Sequence, residues 1–235
     1  MSRTLTVIAH VDDPSMGILE SSAQSADWRI HVVRPFRGET LPEPGNLEAL
    51  TVLGGPQSAY DTARNPYLKT EINYLADAHR RAVPTLAICL GSQLLAEALG
   101  GRAMPGESGL ECGFIDVTSS VAELPLQGRY FSFHSDTALP PAHAELLAES
   151  SCYLQSWRIG GSLAVQFHPE LDTAGIEALL AIEGDKLAQF SVDVGAIRNE
   201  IATALTSPSP GELLLDAWFA ALPGVGTERL LDSSL

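Results

Sequence analysis

The sequence predicts a single α/β domain built on a largely parallel sheet. Short runs rich in Val, Leu and Ile alternate with helical patterns along the first half of the chain. Such alternation is typical of three layers, in which an open, mostly parallel sheet is flanked by helices on both faces. At 235 residues, with 45% hydrophobic and 18% charged residues, the chain is long and apolar enough for one such domain.

The first half of the chain supplies four predicted strands and two predicted helices. The strands cover residues 5–11, 29–33, 50–53 and 84–88. Asn65 can cap a helix whose first position is Pro66 and which runs to about residue 81. A second helix covers residues 91–99 and ends at a pair of glycines. Since this helix follows the fourth strand directly, Cys89 lies at a strand-to-helix junction.

The second half of the chain has a more antiparallel pattern, followed by helices. Strands are predicted at residues 115–118, 130–133, 153–159 and 162–167, with a tight hairpin at Gly160-Gly161 between the last two. Residues 173 to about 205 have a helical pattern, and a last helix covers residues 212–221. We expect residues 1–205 to form the main domain and residues 206–235 a C-terminal helical extension, with a tail that frays from Pro223 onward.

The charge of the chain argues against two classes of partner. The sequence carries 29 acidic and 14 basic residues, for a formal net charge of −15. A field of this sign repels phosphate backbones and anionic membranes, so we expect neither nucleic acid nor a membrane as a partner. The N-terminus shows no basic leader, and an odd number of cysteines, three, fits a reducing compartment. The sequence therefore predicts a cytoplasmic protein.

Cys89 is the first candidate for a reactive residue. A cysteine between a buried strand and a helix has its sulfur next to unpaired backbone N–H groups and the positive end of the helix dipole. Both favour the thiolate, which is the form that attacks carbonyl carbon. A small residue such as Gly91 relieves the crowding of a sharp strand-to-helix turn. Free cysteines in cores are also common as purely structural residues, so the junction alone leaves both interpretations open.

Two further segments supply the groups that a cysteine nucleophile needs. Gly54-Gly55 follows the third predicted strand, where bare backbone N–H groups can converge on a developing oxyanion. In His168-Pro169-Glu170, the proline holds the histidine in an extended conformation, so the two flanking side chains project to the same side. Glu170 can then bind one imidazole nitrogen while the other faces Cys89. Each segment is weak evidence alone, because glycines after strands and His-x-Glu triplets are common.

Taken together and in this order, three motifs resemble those of the class I (triad-type) glutamine amidotransferase family. They are LGGP at residues 53–56, AICLGSQ at residues 87–93 and VQFHPE at residues 165–170. The resemblance is greatest for stand-alone members related to the glutaminase domain of GMP synthase. It implies a flavodoxin-like fold with an open, mostly parallel central sheet.

The resemblance also implies a mechanism and its catalytic residues. In the family, a cysteine attacks the side-chain amide of glutamine, ammonia leaves, and water hydrolyses a γ-glutamyl thioester. The residues implied here are the nucleophile Cys89, the general base and acid His168, and Glu170, which orients the imidazole. The implied oxyanion donors are the backbone N–H groups of Gly55 and Leu90.

The remaining implied residues bind the substrate. Gln93 matches a family residue that helps to hold the glutamine portion, and Gly54 is assigned to the same subsite. His134 and Asp136 match a family strand that ends in His-Gly-Asp, although Ser135 stands where glycine is usual. A structural role explains His134 and Asp136 equally well, as residues of a turn after a strand whose polar groups are hydrogen-bonded within the protein.

No further residue carries a functional motif of its own. Cys112 and Cys152 match no catalytic position and lack metal-ligand spacing, so we expect no metal site. His10 follows the first strand, where an α/β fold gathers functional loops, but an acidic turn explains it equally well. The chemistry implied by the resemblance needs no cofactor, since thiolate, imidazole and backbone donors suffice.

Three functions remain open from the sequence. The first is a glutaminase that releases ammonia, alone or for a separate synthetase subunit, since the sequence has no phosphate loop of its own. The second is a γ-glutamyl hydrolase that acts on γ-glutamyl amines or peptides. The third is a non-enzymatic member of the fold whose cysteine senses oxidants or only packs, which the presence of all three triad residues disfavours. The expected small-molecule partner is glutamine or another γ-glutamyl compound.

Overall fold

The computed structural model describes residues 3–223, which form strands and helices in alternation. Within these residues, the strands are β1 (Arg3–Ile8), β2 (Trp28–Val33), β3 (Ala49–Val52), β4 (Thr85–Ile88), β5 (Arg102–Pro105), β6 (Glu111–Ser119), β7 (Gly128–His134), β8 (Asp136–Leu139), β9 (Glu145–Glu149), β10 (Leu154–Ile159) and β11 (Ser162–Val165). The α-helices are α1 (Gly17–Ser25), α2 (Pro66–Arg80), α3 (Leu90–Ala98), α4 (Thr173–Ile182), α5 (Gly184–Gln189), α6 (Val194–Ala204) and α7 (Pro210–Ala221).

A mixed sheet forms the centre of the protein, with the strand order β2-β1-β3-β4-β11-β10-β9-β6-β7. The strands from β2 to β11 in this order pair in parallel. The remaining four strands continue the sheet with antiparallel pairs. Strands β5 and β8 form a separate two-stranded sheet. The predicted open, mostly parallel sheet is confirmed, and it contains the strand that leads to Cys89.

Alternate residues of the parallel strands point to two different cores. Leu86 and Ile88 of β4 pack in one apolar cluster with residues of α1 and α7. Ala87, between them, packs in a second cluster with residues of α2 and α3. Side chains of a strand alternate between its two faces, so these clusters lie on opposite sides of the sheet and the fold has three layers. Helix α7 belongs to the first cluster, and the division of the chain at residue 205 stays a prediction.

Several predicted elements have different bounds in the structure. Strand β1 ends at Ile8 rather than at residue 11. Asn65 is the N-cap residue of α2, but its side chain accepts no hydrogen bond from the helix and instead donates to the Asp61 carbonyl oxygen at 3.4 Å. The helical pattern after residue 173 is divided into α4, α5 and α6. The fraying predicted from Pro223 onward concerns residues that lie almost entirely outside the described part of the chain.

Residues 3–223 contain neither a helix that could span a membrane nor a cluster of side chains that could hold a metal ion. None of the helices there combines the length and the apolar surface that a membrane span requires. The same residues include no group of three or more His, Cys, Asp and Glu side chains arranged to hold a metal ion.

Candidate active site

Three of the predicted site residues, Gly54, Cys89 and His168, lie at one edge of the sheet together with His10. Parallel strands end at the same edge, and ligands of open α/β sheets bind outside these carboxyl ends. His10 follows β1, Gly54 follows β3, Cys89 follows β4 and His168 follows β11. Four neighbouring strands of the sheet thus each deliver a residue to this edge.

Cys89 lies in a sharp turn between β4 and α3. Its backbone N–H donates to the Val165 carbonyl oxygen on the neighbouring β11 at 2.8 Å. Its carbonyl oxygen accepts hydrogen bonds from the N–H groups of Ser92 and Gln93 at 3.0 and 3.2 Å. Its φ of +52° lies in a region that residues with a Cβ rarely adopt. The strand on one side and the helix on the other hold the residue in this conformation, and the side chain is buried.

Gly91 makes the turn possible, and we expect Gly91→Ala to lower the free energy of unfolding by about 1–3 kcal/mol. A Cβ at this position would lie 2.2 Å from the Val52 carbonyl oxygen, a backbone atom at the end of β3. Urea-induced unfolding measures the change. The matched control is Gly184→Ala in α5, where a Cβ meets nothing within 4 Å. Equal changes in the two variants would contradict the steric explanation.

His168 and Glu170 are fixed by backbone contacts outside the parallel strands. The His168 N–H donates to the Phe131 carbonyl oxygen of β7 at 2.9 Å. The Glu170 carbonyl oxygen accepts from the Ile18 N–H, in the first turn of α1, at 3.0 Å. The side chains of the pair then meet, with 2.7 Å between His168 Nδ1 and Glu170 Oε1. Because Nδ1 is used in this way, Nε2 is the ring nitrogen that remains for Cys89.

The surroundings of His168 favour its charged form. Burial alone lowers the pKa of this imidazole, because a charge is poorly solvated in the interior. The negative charges of Glu170 and Cys89, and hydrogen bonds to both side chains, outweigh burial and hold the pKa of His168 well above 6.5. The site therefore favours an imidazolium that is paired with the Glu170 carboxylate.

Gly54 lies against the side chains of Cys89 and His168, and Gly55 lies against the side chain of Leu90. A Cβ at Gly54 would be 3.0 Å from His168 Cε1 and 3.8 Å from Cys89 Sγ, and one at Gly55 would be 3.0 Å from Leu90 Cδ2. Within residues 3–223, the backbone N–H groups of Gly55 and Leu90 have no hydrogen-bond acceptor. Two unpaired backbone donors next to a cysteine could stabilise an oxyanion that forms there.

Gln93 and Asp136 are connected by a direct hydrogen bond. Gln93 Nε2 donates to the Asp136 carbonyl oxygen at 3.1 Å and to Gln166 Oε1 at 3.2 Å. The Asp136 carboxylate accepts from Ser58 Oγ at 2.5 Å and from the Tyr60 hydroxyl at 3.1 Å. Asp136 thus joins the segment that follows Gly55 to the first turn of α3.

His134 belongs to a buried polar network. Its Nδ1 lies 2.9 Å from the Asp136 carbonyl oxygen, and its Nε2 lies 3.0 Å from Glu111 Oε2. Ser150 and Gln155 also donate to the Glu111 carboxylate. Burial raises the pKa of Glu111, but hydrogen bonds from His134, Ser150 and Gln155 outweigh it and lower the pKa. Both ring nitrogens of His134 are therefore used within the protein.

His10 and Glu71 form a buried pair that the sequence analysis did not identify. His10 Nε2 lies 3.0 Å from Glu71 Oε1, and both side chains are completely buried. His10 Nδ1 lies 3.2 Å from the Gly54 carbonyl oxygen. The sequence feature that could have predicted this pair is Glu71. It places a carboxylate on the buried face of α2, between Leu68 and Leu75, where a carboxylate needs a partner.

The other two cysteines differ in their surroundings. Cys112 lies in β6, where burial raises the pKa of its thiol to about 11. Cys152 is exposed just before β10. Neither forms a disulfide.

Comparison with known proteins assigns first the class of fold and then the family. The protein is a flavodoxin-like α/β protein, and a solved glutamine amidotransferase of Thermotoga maritima matches it with a TM-score of 0.86. The two share 25% sequence identity, and the match covers 95% of this chain and 100% of that one. Residues 18–175 match the family described as Glutamine amidotransferase class-I. The chain therefore belongs to the class I glutamine amidotransferase family, as the three motifs indicate.

Two curated relatives give the same result. The glutamine amidotransferase-like protein YfeJ of Salmonella typhimurium is 31% identical over 198 residues, covering 77% of this chain and 81% of the relative. A subunit of the glutamine-hydrolyzing GMP synthase of Halobacterium salinarum is 31% identical over 146 residues, covering 56% of this chain and 71% of that protein. The predicted relation to the glutaminase part of GMP synthase is confirmed.

Proposed function

We propose that the protein is a glutaminase, which hydrolyses the side-chain amide of glutamine and releases ammonia. The observation that carries the proposal is the 2.7 Å contact between His168 and Glu170, with the His168 ring and the Cys89 sulfur both against Gly54, in a chain of the class I glutamine amidotransferase family. A nucleophile, a base within reach of it and a group that orients the base are the parts that covalent amide hydrolysis needs.

In the first step, His168 takes the proton of the Cys89 thiol, and the sulfur attacks the carbonyl carbon of the glutamine side chain. A C–S bond forms, and the electron pair of the C=O bond moves onto oxygen. The N–H groups of Gly55 and Leu90 stabilise this oxyanion, since each is free to donate within the described residues. Because the donors are fixed before the reaction, little reorganisation is needed as the charge develops.

In the second step, the tetrahedral intermediate collapses to a γ-glutamyl thioester. The carbonyl re-forms, the C–N bond breaks, and His168 gives its proton to the leaving nitrogen, which departs as ammonia. Neutral His168 then takes a proton from water, whose oxygen attacks the thioester carbon. The second collapse breaks the C–S bond and releases glutamate. Glu170 keeps the imidazole oriented throughout, at 2.7 Å from its Nδ1.

The substrate contacts are also part of the proposal. Gly54 lies against Cys89 and His168, and its missing side chain leaves space where the substrate amide must enter. Gln93 and Asp136 are joined at the start of α3, and we assign them to the α-amino and α-carboxyl end of glutamine. His134 supports this group through its hydrogen bond to the Asp136 carbonyl oxygen.

A separate synthetase subunit is the proposed acceptor of the ammonia. The relative from Halobacterium salinarum is named as one subunit of GMP synthase, which supports an assembly of this kind. The cytoplasmic location stays a prediction.

The test is the release of ammonia from glutamine by the purified chain, beside a panel of γ-glutamyl amines and peptides. The proposal expects glutamine to have the highest kcat/KM of the panel. A preference for substituted γ-glutamyl amides would favour the alternative γ-glutamyl hydrolase. No cleavage of any compound, with or without a candidate synthetase, would favour the non-enzymatic or redox-sensing alternative.

Replacing Glu170 by glutamine is expected to reduce kcat by about 10²- to 10⁴-fold and to leave measurable turnover. The variant loses the charge that helps to raise the pKa of His168. A lower pKa means that the imidazolium is lost at a lower pH. We therefore expect the alkaline limb of the kcat profile, where the proton donor disappears, to move to lower pH. NMR titration of the His168 ring checks the same shift directly.

The matched control for this substitution is Glu177→Gln. Glu177 is a partly exposed carboxylate of α4 that pairs with Arg198 at 2.9 Å. Its loss should leave both the rate and the alkaline limb unchanged. An unchanged limb in Glu170→Gln would show that Glu170 does not control the protonation of His168.

A further inference from the structure

We propose that His10 and Glu71 form a positioning pair, which holds the Gly54–Gly55 peptide so that the Gly55 N–H points into the oxyanion site. The inference rests on the proposed function, because an oxyanion forms only if Cys89 attacks a carbonyl group. It adds two residues that do not touch the substrate and act through the backbone of a loop.

The pair connects three elements of the fold. His10 follows β1, Glu71 lies in the middle of α2, and Gly54 follows β3. Glu71 Oε1 and Oε2 lie 3.0 and 3.2 Å from His10 Nε2, so both carboxylate oxygens share one ring nitrogen. The opposite side of the ring, at Nδ1, faces the Gly54 carbonyl oxygen at 3.2 Å. Glu71 thus fixes the ring, and the ring fixes the peptide.

The partners of His10 require it to donate from both nitrogens. A carboxylate and a backbone carbonyl are acceptors only, so each is satisfied by an N–H of the ring. Burial lowers the pKa of His10, but the charge and hydrogen bond of Glu71, with backbone carbonyls of the Gly54 loop, outweigh it and raise the pKa. The imidazolium is completely buried, and Glu71 balances its charge.

The geometry of the peptide bond transmits this contact to the site. The Gly54 carbonyl and the Gly55 N–H belong to one planar trans unit, in which C=O and N–H point in opposite directions. Since the carbonyl oxygen is turned toward His10, the N–H is turned away from it. Gly54 has Cys89 and His168 as neighbours, and the Gly55 N–H has no acceptor within residues 3–223.

The two glycines explain why the peptide needs an external restraint. A Cβ at Gly55 would lie 2.6 Å from His10 Cβ and 3.0 Å from Leu90 Cδ2, so a side chain is excluded there. Glycine, however, places almost no limit on its own φ and ψ, and a peptide between two glycines can rotate at little cost. The hydrogen bond from His10 to the Gly54 carbonyl oxygen therefore fixes the orientation of this peptide. At residues with a Cβ, steric limits on φ and ψ have the same effect.

Two probe reactions distinguish a loss of oxyanion stabilisation from a general disruption of the site. Hydrolysis of 4-nitrophenyl acetate passes through a tetrahedral oxyanion but needs no γ-glutamyl recognition. Alkylation by iodoacetamide needs the Cys89 thiolate but forms no such oxyanion. Both are measured in a background with Cys112→Ala and Cys152→Ala, and the ester rate is corrected with Cys89→Ala.

In His10→Ala, we expect ester hydrolysis and the kcat for glutamine to fall about 10²-fold, with the glutamine KM and the alkylation rate changed less than about twofold. In His10→Asn, the amide nitrogen can take the place of Nδ1. We therefore expect ester hydrolysis to be at least about tenfold faster than in His10→Ala. In Glu71→Gln, which keeps the side-chain volume, we expect about a tenfold fall in ester hydrolysis. This variant provides the test if His10→Ala does not fold, as judged by circular dichroism.

The matched control is His79→Ala. His79 bonds to Ser162 Oγ at 3.0 Å, at the start of β11 and thus at the opposite end of the parallel strands. It should leave both probe reactions unchanged. Wild-type rates of ester hydrolysis in the His10 and Glu71 variants would overturn the proposal, as would an equal fall of ester hydrolysis and alkylation.

The same measurements keep the two proposals apart. If the wild-type protein hydrolyses the ester through Cys89 but not glutamine, and His10→Ala loses the ester reaction alone, the glutaminase proposal fails and the positioning role stands. If glutamine turnover is present and His10→Ala leaves it intact, the positioning role fails and the glutaminase proposal stands.

Discussion

Replacing Cys89 by alanine is expected to lower glutamine hydrolysis by about 10⁵-fold or more, to the background of the assay. The variant removes the atom that forms the thioester in the proposed mechanism, and no other described side chain takes the place of the sulfur next to His168. Folding should be retained, because alanine is smaller than cysteine and the side chain is already buried in an apolar cluster. Ammonia release from glutamine, with circular dichroism on the same sample, measures both expectations.

Cys112→Ala and Cys152→Ala are the controls for this prediction. Burial raises the pKa of Cys112 to about 11, so its thiol is protonated at neutral pH. Cys152 is exposed. Both variants should retain the wild-type kcat. A Cys89→Ala protein that still releases ammonia at more than a trace, or a control that loses its activity, would refute the assignment of the nucleophile.

Replacing His168 by alanine is expected to lower kcat by about 10⁴- to 10⁶-fold. In the proposed mechanism, the imidazole takes the thiol proton of Cys89 and gives it to the leaving ammonia, so its loss affects attack and departure together. Alkylation by iodoacetamide distinguishes this variant from Cys89→Ala, since the Cys89 sulfur is still present. We expect alkylation of Cys89 to be slower than in the wild type at neutral pH and to recover when the pH is raised.

His143→Ala provides the control, since His143 is an exposed residue just before β9. It should be indistinguishable from the wild type in both measurements. A His168→Ala variant with normal ammonia release would end the proposed mechanism, because no described residue replaces the proton donor.

Local patterns predict the part of the fold that carries Cys89. β4 and α3 were predicted within a residue or two of their observed bounds, because a buried strand and an amphipathic helix each have their own periodicity. The hairpin at Gly160-Gly161 also has a local cause, since Gly160 has a φ of +54°. These elements follow from interactions between residues close in sequence.

Elements that depend on distant contacts were not predicted. Helix α1 buries Ser22 and Ala23 along with Ile18 and Leu19, so its buried face has too few large apolar residues to give a clear pattern. It packs against α7, at the far end of the chain. The short strands β5 and β8 pair only with each other across the sequence, and neither has a distinctive composition.

In the candidate site, too, contacts between residues close in sequence can be predicted, and contacts between distant residues cannot. His168 and Glu170 are two residues apart, so the geometry of an extended chain predicts that their side chains can meet. His10 and Glu71 are 61 residues apart, and no local motif connects them. A charged residue on the buried face of a helix signals that a partner exists, but only the packed fold shows which residue it is.

The backbone conformation of Cys89 also lowers the stability of the protein. Its φ of +52° and ψ of −110° are strained for any residue with a Cβ, at a cost of about 1–3 kcal/mol. Glycine relieves that strain, so the substitution that would most improve this turn also deletes the sulfur. Under the proposed mechanism, a trade-off between stability and activity is thus concentrated in Cys89.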